Sequence, residues 1–235
     1  MNKVVKWLDN FWYHYKWHVI VASFFVIVFG VATAQMVSKE SVDSYVMYAG
    51  PSAFTPNEIS EIRDVFEIVT PDSNKDGDSY VEFIDITYLT DAKLKENKKL
   101  AEEQGTEYKP NMEFVYNSRE KYRVQLAAGD AYLVLVDPET YMMDYGTGMF
   151  EKLEDIGIST DKAYDEYSIR FKDTDFGSYF PIFNRIPDDT LICFRAMNVT
   201  AKARGKKERK KYDNQLELFK AILAYEAEVT VDNEE

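Results

Sequence analysis

Histidine and cysteine are nearly absent from this 235-residue chain, which holds two of the first and one of the second. His14 and His18 both precede the long apolar run, so nothing beyond that run can build a histidine-dependent triad or a histidine-ligated zinc site. Cys193 lies inside Leu191-Ile192-Cys193-Phe194, the setting of a small buried hydrophobe with no histidine at hand to activate it. A lone cysteine forms no intrachain disulfide, and packing alone must hold the fold together. Paired carboxylates remain as a catalytic device, but 40 of the 41 acidic residues follow residue 18, and abundance is not geometry. No enzymatic activity is expected.

Positive charge is also scarce. The formal net charge is −13, and residues 1–18 carry Lys3, Lys6 and Lys16 against Asp9, which leaves −15 on the remainder. Such a domain is repelled by nucleic acid, and none is expected as a partner. Beyond the apolar run, about 195 residues suffice for one well-filled core and not for two.

There is one long apolar run. From Val19 to Val37 the only polar side chains are Ser23, Thr33 and Gln35, and 19 residues at 1.5 Å each span roughly 28 Å, close to the hydrocarbon thickness of a bilayer. A transmembrane helix is therefore expected over residues 18–37. Ahead of it, Val4, Leu8, Phe11 and Tyr15 recur at helical spacing with Trp7, Trp12 and Trp17 between them. That pattern predicts an amphipathic stub, residues 1–17, lying along the headgroups before the chain turns inward. Three lysines precede the run, and Lys39 follows beside Glu40 and Asp43. The asymmetry places the stub in the cytoplasm and the rest outside. The competing reading is a cleaved signal peptide, since Ala32-Thr33-Ala34 fits a small-x-small site. The long aromatic segment ahead and the apolarity continuing to Val37 favour an anchor.

After a neck at residues 38–43, an extracellular α/β domain is expected over residues 44–228, with a polar tail at 229–235. Tyr45–Ala49 reads as a strand, and Thr55-Pro56-Asn57-Glu58 as a capped helix start followed by the apolar stripe Ile59, Ile62, Phe66 and Val69. Val81 to Tyr88 alternates as a strand, Thr90-Asp91 starts a polar helix, and Asn117-Ser118-Arg119-Glu120 starts another that ends at Gly129. Ala131–Val136 is apolar on both faces, as suits a central parallel strand, and Asp137-Pro138 opens the next helix. Two further strands, Tyr167–Phe171 and Leu191–Arg195, and a long helix over about Lys207–Ala227 complete the series. This alternation predicts a three-layer, mostly parallel-sheet α/β domain.

Several segments carry a resemblance. The stub Asn10-Phe11-Trp12-Tyr13-His14-Tyr15-Lys16-Trp17-His18, the Tyr48-Ala49-Gly50-Pro51 turn, and Ala127-Ala128-Gly129-Asp130 ahead of Tyr132-Leu133-Val134-Leu135-Val136-Asp137 resemble uncharacterised membrane-anchored surface proteins of Gram-positive bacteria. Residues 42–150 in turn resemble one lobe of type 2 extracellular solute-binding proteins. The resemblance implies a Rossmann-like lobe outside the membrane; an anchored binding or interaction domain is expected, with an envelope protein or a small solute as its partner. The chain departs from the full solute-binding pattern: it is too short for two lobes, and it carries a transmembrane helix in place of a lipid-attachment cysteine.

Parallel sheets gather helix N-termini at the strands' C-terminal edge, where open α/β sheets bind ligands. The candidate ligand-binding residues are therefore Tyr48, Gly50 and Pro51 after the first strand, Thr87 and Thr90 after the second, and Asp137 and Tyr141 after the third. Asp137 doubles as a helix cap. Separately, Asp72, Asn74, Asp76 and Asp78, with Gly77 at the bend, match the opening half of a calcium loop. The second half fails, because Phe83 stands where a bidentate carboxylate is needed, and a polar turn is the alternative. No other cofactor is implied. Finally, Lys202, Arg204, Lys206, Lys207, Arg209, Lys210 and Lys211 form a basic run, either a solvated helix start or a contact for anionic wall polymers or lipid headgroups.

Overall fold

The computed structural model describes residues 3–37 and 42–227, and the chain divides into two compact units at residue 41. The first unit is a helix, α1 (Lys3–Val37), without a break. The expected turn between stub and span is absent. The residues before Gly30 include no proline or glycine to interrupt the helix, and Trp7 stacks on Phe11 (5.6 Å) and Phe11 on Tyr15 (5.2 Å) from turn to turn. The part long and apolar enough to cross a membrane is Asn10–Thr33, which begins eight residues before the expected 18. Within it, residues 19–31 are apolar on every face apart from Ser23, a composition suited to lipid.

The second unit is an α/β domain. Its elements are β1 (Ser44–Gly50), α2 (Pro56–Glu67), β2 (Val81–Thr87), α3 (Asp91–Glu103), α4 (Met112–Ala128), β3 (Leu133–Val136), α5 (Pro138–Asp144), β4 (Ser168–Arg170), α6 (Asp175–Tyr179), β5 (Leu191–Phe194), α7 (Val199–Ala203) and α8 (Lys206–Ala224). The capping box of α2 is formed as expected: Thr55 Oγ1 accepts from the Glu58 amide and the Glu58 carboxylate accepts from the Thr55 amide. Thr90 and Asp137 cap α3 and α5 by a single side-chain bond each, accepting from the amides of Lys93 and Thr140. The start of α4 differs from expectation. Asn111 is its cap, bonding the Phe114 amide, and the Asn117–Glu120 signature lies inside the helix with Ser118 buried. Val115 continues the buried stripe of Ser118, Tyr122 and Leu126 one turn earlier, so packing extends the helix past the internal signature.

Five strands form one mixed sheet in the order β2-β1-β3-β5-β4. β1 pairs in parallel with β2 and β3, whereas β5 is antiparallel to both β3 and β4. The expectation of a mostly parallel sheet holds for the β2-β1-β3 half and fails for the other. Between β4 and β5 the chain makes only short helical turns, and β5 returns as an antiparallel neighbour of β4. Alternation along the strands supplies two buried clusters. Val46, Tyr48, Leu133, Leu135, Ile192 and Phe194 pack with residues of α2 and α8, while Met47, Ala49, Val134, Val136, Leu191 and Cys193 pack with residues of α4 and α5. Helix α3 buries no residue.

Candidate functional site

The parallel strands bring most of the expected site residues to one edge. The Gly50 carbonyl accepts from the Tyr88 amide (2.7 Å) and the Ala49 carbonyl from the Asp137 amide (2.9 Å), so the ends of β1, β2 and β3 lie side by side. Helix α2 follows β1 onto one face, and α4 precedes β3 on the other. This reversal is where open α/β sheets form a crevice. Here it is filled. Tyr48 is fully buried, its ring packs edge-on against Phe54 (5.0 Å), and its hydroxyl accepts from the Ser52 amide (3.1 Å). A Cβ on Gly50 would stand 2.5 Å from that hydroxyl oxygen, so a side chain here competes with the tyrosine for space. Burial raises the Tyr48 hydroxyl above its ordinary range.

The remaining positions divide between structural roles and the surface. Tyr141 is fully buried, and its hydroxyl donates to the Asp165 carboxylate at 2.7 Å. Thr87 Oγ1 donates to the Ser52 carbonyl at 3.5 Å, and Pro51 is half-buried in the turn. Asp137 caps α5; burial raises its carboxyl above the usual range, and its bonds from Thr140 pull the other way. Tyr48 and Tyr141, expected at a ligand-binding edge, are thus fully buried core residues here.

Thr90 borders an open hollow. This hollow has a volume of about 450 Å³, and Tyr88, Thr90, Arg119, Arg123, Glu139 and Met143 are among its walls. The Thr90 hydroxyl donates to the Glu139 carboxylate. Arg119 donates to the Leu89 carbonyl through Nε (3.1 Å) and Nη2 (2.8 Å) and pairs with Asp91 at 2.6 Å, which holds the Asp91 carboxyl below the usual range. Arg123 pairs with Glu120 at 2.9 Å. A helix read as starting at Asn117 gives no sign that Arg119 and Arg123 meet such a hollow. The six-residue shift of its start would have placed them mid-helix, facing α3.

The loop that resembles half a calcium site closes on its own backbone. Asp72 accepts from the Lys75 amide (2.6 Å) and the Gly77 amide (3.0 Å), Asn74 from the Asp76 amide (2.7 Å), and Asp76 from the Asp78 amide (3.2 Å). Phe83, in the place of the bidentate ligand, is a core residue of β2. The residues do not fit a calcium ion, and among the described residues no group of three or more His, Cys, Asp or Glu is arranged to hold a metal. The loop instead wraps Asp43. One carboxylate oxygen of that buried side chain accepts from the Ser73 amide, the Ser73 hydroxyl and the Asn74 amide, and the other from the Tyr80 amide.

A second polar network went unforeseen at the opposite edge. Arg195 is 1% exposed and donates to the carbonyls of Leu126 (3.0 Å), Gly129 (2.8 Å) and Ala131 (2.9 Å), with its guanidinium 4.3 Å from the Tyr132 ring centre. The Tyr132 hydroxyl donates to buried Glu208 at 2.7 Å, and Gln215 bonds both the Tyr132 amide and the Asp130 carbonyl. These groups tie α8 and the residue after β5 to the turn between α4 and β3. Comparison of the chain with protein-family models, curated proteins and solved structures gives no match.

Proposed function

We propose that this chain is a membrane-anchored, non-enzymatic interaction domain of a cell envelope, a structural or assembly component that contacts a protein partner through its surface. The proposed topology places residues 1–17 in the cytoplasm and the domain outside, in line with the lysine asymmetry around the apolar run. The co-directional β2-β1-β3 strands and the two packed faces support reading the domain as a three-layer, Rossmann-like lobe of the solute-binding-protein kind. The observation that carries the interaction reading is the filled crevice, where Tyr48 and Phe54 stand in the space a solute would occupy. Surface contact is further supported by α4, on which Met112, Tyr116 and Val124 lie exposed at multiples of four residues.

A second reading, binding of a small anionic solute, is favoured only by the hollow beside Arg119 and Arg123. A thermal-shift screen of the detergent-solubilised full chain against a library of small metabolites separates the two. The interaction reading expects no shift beyond about one degree. A reproducible rise that disappears in both Arg119→Ala and Arg123→Ala would favour the solute.

A further inference from the structure

We infer that the basic face formed by α7 and the first turns of α8 docks on anionic lipid headgroups of the bilayer that holds the chain's own anchor. Residues 199–212 carry seven cationic side chains and one carboxylate, Glu208, which is buried. Arg204 pairs with Glu208, Arg209 with Asp213, and Lys211 with Asp130. Lys202, Lys206 and Lys207 are exposed and belong to no ion pair within the described residues, and beside them Val199 is 84% exposed. Folding alone disfavours this arrangement, because cations at the positive end of α8 repel the helix dipole. A surface that attracts anions offsets that cost.

The position of the face in the domain points to the partner. The chain joins the domain at Val42 and Asp43, and the loop that wraps Asp43 is bonded in turn by Lys210, whose Nζ donates to the Ser73 carbonyl at 3.2 Å. Lys211 stands 5.7 Å from the ring centre of Tyr45, the second residue of β1. The basic face therefore borders the point where the tether arrives. For a chain anchored through α1, an anionic bilayer is the polyanion held at high effective concentration. Asp72, Asp76 and Asp78 lie on the same loop and oppose the attraction, but Asp72 is turned onto its own loop amides. Each lysine near an anionic surface strengthens binding by about fivefold, and the effect decays within a Debye length of about 8 Å.

The inference rests on the anchored reading, and one experiment separates the two. Full-length chain is reconstituted into vesicles of phosphatidylcholine alone or with phosphatidylglycerol at three parts in ten, floated on a density gradient, and labelled with an amine-reactive reagent for mass spectrometry. The anchored reading requires flotation with both; a chain that stays at the bottom sinks that reading and the docking inference with it. Docking requires that Lys202, Lys206 and Lys207 react at least about fivefold more slowly on the anionic vesicles, that 0.5 M salt restores their reactivity, and that Lys93, at the opposite sheet edge, is unchanged. The Lys202→Gln, Lys206→Gln, Lys207→Gln variant, checked for an unchanged melting transition, should free Lys210 as well. Flotation with equal lysine reactivity on both vesicles overturns the inference, as does protection that arises only when a soluble polyanionic wall polymer is added.

Discussion

The guanidinium of Arg195, just past the end of β5, donates to the carbonyl of Leu126 in the last turn of α4 at 3.0 Å, across 69 residues of sequence. With Gly129 and Ala131 it gives three carbonyls at the α4–β3 turn a donor that no local residue supplies. Arg195→Met leaves those carbonyls without it, and the expected loss is about 3 kcal/mol or more. Arg195→Lys should recover only part, because one ammonium does not span three acceptors as a planar fork does. Urea denaturation followed by tyrosine near-ultraviolet dichroism measures this cleanly, since all three tryptophans precede residue 18.

Tyr48 yields a prediction of the opposite kind from the one its position after a strand suggests. As a buried side chain it should cost about 3–5 kcal/mol when cut to alanine, whereas Tyr48→Phe loses only the bond from Ser52, about 1 kcal/mol. Gly50→Ala should destabilise as well, through the contact with the Tyr48 hydroxyl. Melting temperatures of the three variants test this. A Tyr48→Ala chain with unchanged stability would mean that the side chain lies open and the crevice is free.

Asp43, and not the calcium-like residues, should govern the loop at 72–80. Asp43→Ala removes an acceptor for four donors and should lower the melting temperature more than Asp72→Ala, which releases two exposed amides. Millimolar calcium should leave wild type and both variants unmoved, because a binding ion would raise the transition by linkage. A rise of many degrees with calcium, lost in Asp72→Ala plus Asp76→Ala, is the contrary result.

Asp144 gives the fold a pH signature. Burial raises its carboxyl above the usual range, against the lowering effects of the 2.8 Å bond from the Tyr122 hydroxyl and of nearby Arg123. The folded state therefore binds a proton at higher pH than the unfolded chain, whose aspartate titrates near about 3.9. Between those two values the native state holds more protons, so this residue's contribution to stability falls as pH rises through the window. Asp144→Asn keeps an acceptor for Tyr122 and removes the titration. Its stability relative to wild type should improve from pH 4 to pH 7; a relative decline over that range would contradict the assignment.

Local signals were legible in the sequence, and long-range ones were not. Thr55, Thr90 and Asp137 act as caps because a cap depends on residues three positions away. The capping-like run at Asn117 misled because a signature inside a helix has the same letters, and only the burial of Val115 reveals that the helix began earlier. The antiparallel placement of β5 depends on which strand it meets, a fact absent from its own apolar run. For the candidate site, the strand edge was rightly assembled from parallel pairing, but its filling by Tyr48 and Phe54 is a packing outcome. Arg195, Glu208 and Gln215 are charged or polar letters in an acidic, polar sequence, and nothing local marks them as buried.

The central claim is that α1 holds the chain in a membrane with the domain on its outer side, and protease treatment of intact protoplasts tests it most directly. The account predicts that added protease removes the domain beyond residue 40 while a fragment carrying residues 1–17 stays protected until the cells are lysed. A domain that survives intact until lysis, or a mature chain that begins at Gln35, would contradict it.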